Sequence, residues 1–194
     1  MLSRKRVLSI FQETGVLQEG HFLLTSGLHS AYYLQCAQVL QYPEYTEELC
    51  RGIVEAFKDA NIDLVIGPAL GGVLLSYEVG KQLKIRSIFA EREAGKMTLR
   101  RGFKIDPGQK VLVVEDVITT GGSVKEVIDL VEQSGGEVVG VGLLVDRSGG
   151  KVDFGVPTHA LIKLDIETYS PETCPLCKQG AIPAIKPGSR NINK

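Results

Sequence analysis

Residues Val114 to Ser123 read VEDVITTGGS. An apolar run ends there in two carboxylates, Glu115 and Asp116, and passes through Val117 and Ile118 into Thr119, Thr120, Gly121, Gly122 and Ser123. The first amides of a helix are unpaired and carry positive partial charge. Glycines let an anion approach that backbone, and hydroxyls add donors. The two carboxylates repel a phosphate but suit the hydroxyls of a sugar, or Mg²⁺ through water. Acids followed by an anion cradle fit one ligand type, a phosphorylated sugar with free hydroxyls. No Lys follows the glycines, so the stretch is not a Walker loop. A plainer reading also exists: Ser123-Val124-Lys125-Glu126 matches the S-x-x-E capping box, with Ser123 closing its own helix. That reading leaves the adjacent acid pair unexplained.

These residues need a frame to hold them. Short apolar runs rich in β-branched residues lie at 63–67 (DLVIG), 86–91 (RSIFAE), 110–116 (KVLVVED), 138–146 (VVGVGLLVD) and 158–164 (THALIKL). Helical periodicity marks 2–13, 44–60, 72–83 and 122–134, the last with Val124, Val127, Ile128 and Val131 on one face. Residues 21–42 read as irregular, and 92–104 as a polar, basic connection. Apolar strands alternating with helices predict an α/β fold with a mostly parallel sheet covered on both faces. Ligands of such sheets sit at the carboxyl ends of the strands. The segments at those ends are GPALGG after 67, EREAGK after 90, EDVITTGGS after 114 and DRSGG after 145, and all four are expected on one rim. The tail, 165–194, is rich in Pro and Gly and reads as a wrap over the domain or an extension from it.

Composition narrows the class. The chain has 194 residues, enough for one domain. Its net charge of −1 recruits neither nucleic acid nor an anionic membrane, so anion binding must be local. Gly is frequent, at 22 residues, which suggests several places where backbone approaches a ligand or turns sharply. No apolar run nears the ~20 residues that span a bilayer. The N-terminal MLSRKRVLSIFQETG reads as an amphipathic helix bearing Leu2, Val7, Leu8, Ile10 and Phe11 rather than an export signal, which makes the cytoplasm the expected location. The four cysteines, Cys36, Cys50, Cys174 and Cys177, are then expected as reduced thiols. Cys174-Pro-Leu-Cys177 is half of a zinc-knuckle spacing. No second Cys pair follows, and a tetrahedral site needs four ligands, so structural thiols are favoured over zinc. His21, His29 and His159 have no i,i+4 partner and read as structural or surface groups.

The VEDVITTGGS stretch resembles the 5-phosphoribosyl 1-diphosphate (PRPP) motif of the type I phosphoribosyltransferases. Across most of the chain the resemblance narrows to the orotate-specific members: LTSGLHSAYYLQ resembles their N-terminal base-side segment, GPALGG their diphosphate loop, the basic insertion after RSIFAE their mobile catalytic loop, and VDRSGG their base-binding turn. The resemblance implies a type I phosphoribosyltransferase fold with a small N-terminal base-side hood. As one domain it would comprise a hood segment (1–42), a PRPP-binding core (60–165) and a C-terminal tail (166–194). It implies Mg²⁺-dependent transfer of ribose 5-phosphate from PRPP to orotate, in pyrimidine synthesis, by a homodimer.

By the same resemblance, Glu115 and Asp116 contact ribose hydroxyls, and Thr119 to Ser123 bind the 5-phosphate. The amides of Leu70, Gly71 and Gly72 bind diphosphate. Arg147 pairs with the carboxylate of the base, while Thr119 and Tyr33 face the base. Lys96 and Arg92 on the mobile loop neutralise the leaving diphosphate, and Mg²⁺ is held through PRPP and water rather than by a protein ligand set. The chain departs from the family pattern at Thr25 and Gly71, where a Lys is usual, and at Thr98, where a His is usual. A purine phosphoribosyltransferase and a PRPP-sensing regulator without turnover are the competing functions. Arg147 favours an acidic pyrimidine over a purine, and the basic loop favours catalysis over sensing.

Overall fold

The computed structural model describes residues 2–24 and 26–187. Thr25 and the end of the basic 186–190 segment lie outside the described residues. Helix α1 (Arg4–Glu13) begins at Ser3, whose hydroxyl accepts the Arg6 N–H at 3.2 Å, and it buries Val7, Ile10 and Phe11 along one stripe. Strands β1 (Leu17–Leu23) and β2 (His29–Leu34) then pair antiparallel as a two-stranded sheet. The expectation of irregular chain over 21–42 is corrected here. The hairpin was hidden because its pairing shifts register between Glu19 and Phe22, which breaks the alternation a strand shows in sequence.

The short helix α2 (Ala37–Leu40) leads into α3 (Pro43–Ala56), where Pro43 opens the helix and Leu49, Cys50 and Ile53 are buried. Next come β3 (Leu64–Pro68), α4 (Gly71–Leu83), β4 (Arg86–Glu93), β5 (Lys96–Thr98), β6 (Lys110–Ile118), α5 (Gly122–Gln133), β7 (Glu137–Asp146), β8 (Thr158–Lys163) and α6 (Pro175–Gln179). The main sheet has the order β5-β4-β3-β6-β7-β8, parallel throughout except for β5 on β4. The basic connection over 92–104 is therefore in part a hairpin, turning at Ala94 and Gly95, both at positive φ.

The sheet is packed on both faces, as the apolar runs require. Leu64, Ile66, Val111, Val113, Val141 and Leu143 join Val124, Val127, Ile128 and Val131 of α5 in one core. The alternate residues Val65, Leu112, Val114 and Leu144 join α1, α3 and α4 in the other. Burying each such side chain stabilises by about 1.5–3 kcal/mol, so the strand floor beneath Glu115 is rigid. The chain steps from β3 to β4 on one side and returns to β6 on the other. The sheet's switch point thus lies between the ends of β3 and β6, where a crevice opens. No helix among the described residues is long and apolar enough to cross a membrane.

Candidate active site

The rim converges as its strand-end loops suggest. An added Cβ on Gly71 would lie 2.5 Å from the Asp116 carboxylate, so the loop after β3 presses directly on the acid pair of β6. A side chain at this position would crowd Asp116, whose carboxylate would have to shift to admit it. The loop continues through Leu70, which caps α4 without a side-chain hydrogen bond and is 86% exposed, to the buried Gly72. The amides at the start of α4 therefore face the crevice with the departure at Gly71 accommodated.

Glu115 is buried and Asp116 partly so. The Glu115 carboxylate accepts the Asp116 N–H at 3.0 Å, and the Asp116 carboxylate accepts the Val117 N–H at 2.8 Å. Burial, with Asp116 alongside, pushes the Glu115 carboxyl from its usual 4.5 up to about 9. Burial also raises Asp116. Burial and proximity thus both work against ionising the two carboxyls together. Such a pair can both give a hydrogen bond to a sugar hydroxyl and take one from its neighbour.

Beyond the acids a cavity of about 300 Å³ is lined by Glu115, Val117, Ile118, the turn 119–123, Val124, Arg92 and Glu126. Gly121 sits at φ +74° and forms the N-cap of α5 with no side-chain cap. A Cβ on Gly121 would meet Val152 and Phe154 at 2.8 and 2.9 Å. The backbone is thus held in a shape that leaves the first amides of α5 open toward the cavity. The capping-box reading is excluded: Ser123 lies inside the helix, one residue past its first, and Glu126 is bound elsewhere. Both Glu126 oxygens accept hydrogen bonds from Arg92, each at 2.7 Å.

The two loop cations separate. Arg92 lines the cavity, tethered to Glu126. Lys96 does not reach it; on the exposed hairpin, Lys96 borders a different hollow with Met97, Asp129 and Gln133 on the outer side of α5. The single chain therefore does not bring Lys96 to the acids and the turn.

Arg147 follows β7, and its N–H donates to the Ile118 carbonyl at 2.9 Å, stitching its turn to β6. Its side chain is half-buried, and its Nε is buried with no hydrogen-bond partner among the described residues. Burial depresses its pKa, and the charges of Cys36 and of the hairpin's Tyr33 act against that. An unpaired buried guanidinium nitrogen destabilises the free protein and is relieved by an anion that fits. Tyr33 itself packs on Phe22, ring centroids 5.6 Å apart.

Asp146 was not among the residues singled out from sequence. It is 4% exposed, and its Oδ1 accepts the backbone N–H and the hydroxyl of Ser148 at 2.7 and 2.6 Å. Ser148 in turn accepts the Lys151 and Val152 N–H groups. Asp146 thereby locks the DRSGG turn that carries Arg147. An Asp two residues before a Ser in a glycine-rich segment is the sequence signature of such a turn.

The histidines also depart from expectation. His21 and His29 lie together, 2.8 Å apart between ring nitrogens, and both face Cys174 and Cys177. Read from sequence as structural thiols and as structural or surface histidines, these groups form one cluster: the two cysteines are distant in sequence from the two histidines and adjacent to them in space. His159 lies apart on β8, where burial lowers its pKa.

With this geometry established, comparison with known proteins adds identity. Residues 37–154 match the model of the phosphoribosyl transferase domain. The chain is 61% identical over 191 residues to an orotate phosphoribosyltransferase of Caldicellulosiruptor saccharolyticus, covering 98% of this chain and all of that one. In fold it is similar to the orotate phosphoribosyltransferase of Aeropyrum pernix, with a TM-score of 0.68 at 24% identity over 81% of this chain and 93% of that one. It is also similar to the adenine phosphoribosyltransferase of Rhodothermus marinus, with a TM-score of 0.62 at 22% identity over 81% and 99%. The fold is thus shared by proteins named for different bases, and the choice among bases rests on closer relatives and on the site.

Proposed function

The chain belongs to the orotate phosphoribosyltransferases of the phosphoribosyl transferase family, and from that premise we propose how its residues divide the work. It transfers ribose 5-phosphate from PRPP to orotate, giving orotidine 5′-monophosphate and diphosphate, in pyrimidine biosynthesis. The observation that carries the choice of base is the buried, unpaired Nε of Arg147 beside Tyr33. A planar guanidinium matches the carboxylate of orotate, which purines lack.

The 5-phosphate sits on the open amides and hydroxyls of Thr119 to Ser123, and the diphosphate on the amides of Leu70, Gly71 and Gly72. Glu115 and Asp116 share their proton with the ribose hydroxyls and so orient the sugar across the crevice. Positive charge then develops at the anomeric carbon as the bond to diphosphate breaks. The protein's contribution is position and electrostatics, without a covalent nucleophile. Asp116, closest to the diphosphate loop, faces that charge. Thr119 and Tyr33 border the base.

The buried acid pair suits a hard divalent cation: it offers carboxylate oxygens that no side-chain cation contacts in the hydrogen bonds described, and a bound cation would offset the burial that disfavours their charge. Mg²⁺, when bound with PRPP, would supply Lewis-acid stabilisation of the diphosphate oxygens. Its neighbours here would be Glu115 and Asp116, through ligand oxygens and water.

We assign the leaving-group cations to Arg92 and Lys96, acting in a homodimer. Two features support this. Lys96 stands on an exposed hairpin away from its own cavity. Leu70, Leu74 and Tyr77 form an apolar strip on α4, 86, 49 and 64% exposed, at the spacing of one helix face. In this assembly Lys96 serves the neighbouring site. The division of the chain into hood, core and tail follows the hairpin, the sheet and the segment after β8. A net charge of −1 gives nucleic acid no general attraction, and the cytoplasm is the compartment where the reaction belongs.

The test is direct. Purified protein with orotate, PRPP and Mg²⁺ should consume orotate, followed by its loss of absorbance. Turnover of adenine or hypoxanthine without orotate would instead establish a purine enzyme, and PRPP binding without turnover of any base would establish a sensor.

A further inference from the structure

Where the C-terminal tail meets the hairpin, four side chains from three segments converge: His21 of β1, His29 of β2, and Cys174 and Cys177 at the start of α6. One ligand atom from each lies within 4.8 Å of every other. The imidazole–thiol separations are 3.5 Å for His21 Nε2 to Cys174 Sγ, 3.6 Å for His21 Nε2 to Cys177 Sγ, and 3.2 Å for His29 Nδ1 to Cys177 Sγ. In a tetrahedron with ordinary zinc bond lengths, an N–S edge is about 3.6 Å and an N–N edge about 3.4 Å. Of the four N–S edges, the two from His21 match closely and the one from His29 to Cys177, at 3.2 Å, is short; the N–N edge, at 2.8 Å, is short as well, and both would open around an ion.

Hydrogen bonding alone accounts poorly for the arrangement. The Nδ1 of His21 lies 2.8 Å from the Ile182 carbonyl, an acceptor, so that nitrogen carries the hydrogen. The Nε2 lone pair then points at His29, Cys174 and Cys177 together, and one lone pair serves one donor at a time. A carbonyl holding the remote N–H of an imidazole is the usual support behind a metal-binding histidine. Three of the four residues are buried, and Cys177 is exposed, which leaves the cluster an access path from solvent.

We propose that His21, His29, Cys174 and Cys177 form a structural zinc site that clamps the C-terminal tail to the N-terminal hairpin. The chemistry selects the metal: two thiolates and two imidazoles in tetrahedral array suit Zn²⁺, and four protein ligands leave no open position for catalysis. The position supplies the role. A two-stranded hairpin is marginal by itself. This one is bracketed by the tail, with paired backbone hydrogen bonds between His29 and Tyr169 at 2.8 and 2.9 Å, while the Leu23 N–H donates to the Ile185 carbonyl and the Ile185 N–H to the His21 carbonyl, each at 2.8 Å. A metal between these two bridges closes the clamp and holds β2, and with it Tyr33, over the rim. The inference is independent of the base the enzyme uses.

Elemental analysis of protein prepared without chelator, or refolded with zinc, should give about one zinc per chain, falling at least tenfold in Cys177→Ser. Cobalt substituted into the wild-type protein should show the intense visible bands of a tetrahedral thiolate centre, a readout that stands even if the variant fails to fold. Chelation should raise amide exchange in residues 19–34 and 169–185 while β6 and β7 stay protected. Zinc retained in full by Cys177→Ser, a Cys174–Cys177 disulfide in the freshly isolated protein, or octahedral cobalt bands would each overturn the proposal.

Discussion

The rim of the sheet and the hairpin–tail cluster each gather polar side chains from more than one segment, yet they are built in opposite ways. At the rim, acids, hydroxyls and glycines follow one another within Glu115 to Ser123, and local backbone geometry does most of the work: Gly121 at φ +74° and the uncapped start of α5. In the cluster, the hairpin that carries both histidines meets a tail far along the chain; His21 and Cys177 are 156 residues apart. The rim is carried on strands buried on both faces. The cluster sits on a two-stranded hairpin and a five-residue helix with no buried residue of its own. A site made from contiguous backbone is as stable as the core beneath it, whereas one assembled from the periphery must contribute to the stability of its own frame.

That contrast can be pressed at several points. The largest effect is expected at Arg147. Arg147→Ala should lower kcat/KM for orotate by about 2–5 kcal/mol, roughly 30- to 4,000-fold, because the base carboxylate loses a buried charged partner. The KM for PRPP should change little, and steady-state kinetics with each substrate varied will separate the two. A matching loss for both substrates would mean Arg147 shapes the whole rim instead of reading the base.

Gly121→Ala should come next. It places a Cβ at 2.8 Å from Val152 on a backbone with positive φ. It should destabilise by about 1–3 kcal/mol and raise the KM for PRPP. Gly15→Ala shares the positive φ but meets nothing within 4 Å, and thermal melts should show it milder.

The acid pair predicts a smaller, pH-dependent effect. Glu115 titrates near 9 in the folded protein against its usual 4.5. The folded state therefore holds the proton more tightly than the unfolded one. The resulting stability is complete below about pH 4.5 and is lost as pH rises toward 9. Glu115→Gln should flatten this slope, so that the variant melts higher than wild type at pH 9 by at least about 2–4 °C, the equivalent of about 1 kcal/mol. Parallel pH profiles for the two proteins would contradict the buried-proton account.

The smallest effect on turnover should come from the cluster. Stripping its metal should reduce kcat by no more than about threefold, under 1 kcal/mol, while loosening the hairpin. A collapse of kcat to the Arg147→Ala level would erase the distinction between catalytic rim and structural clamp.

The amino-acid order by itself determined the α/β architecture, since β-branched runs alternating with amphipathic helices bury their apolar faces in few other ways. It also determined the turn after β6, because VEDVITTGGS sets its acids, hydroxyls and glycines in one stretch. The β1–β2 hairpin was illegible because a register shift scrambled its alternation, and Asp146 was passed over although its turn signature stood in plain view. Tertiary structure alone decided that Ser123 caps nothing, that Gly71 packs directly against the Asp116 carboxylate, and that Arg147 keeps a nitrogen unpaired among the described residues. It alone brought two histidines to two cysteines across the fold. The physical reason is range: dihedral preference, capping and hydrophobic period act over a few residues and leave a mark in sequence. Burial and ligand convergence depend on segments that meet only after the chain has closed upon itself.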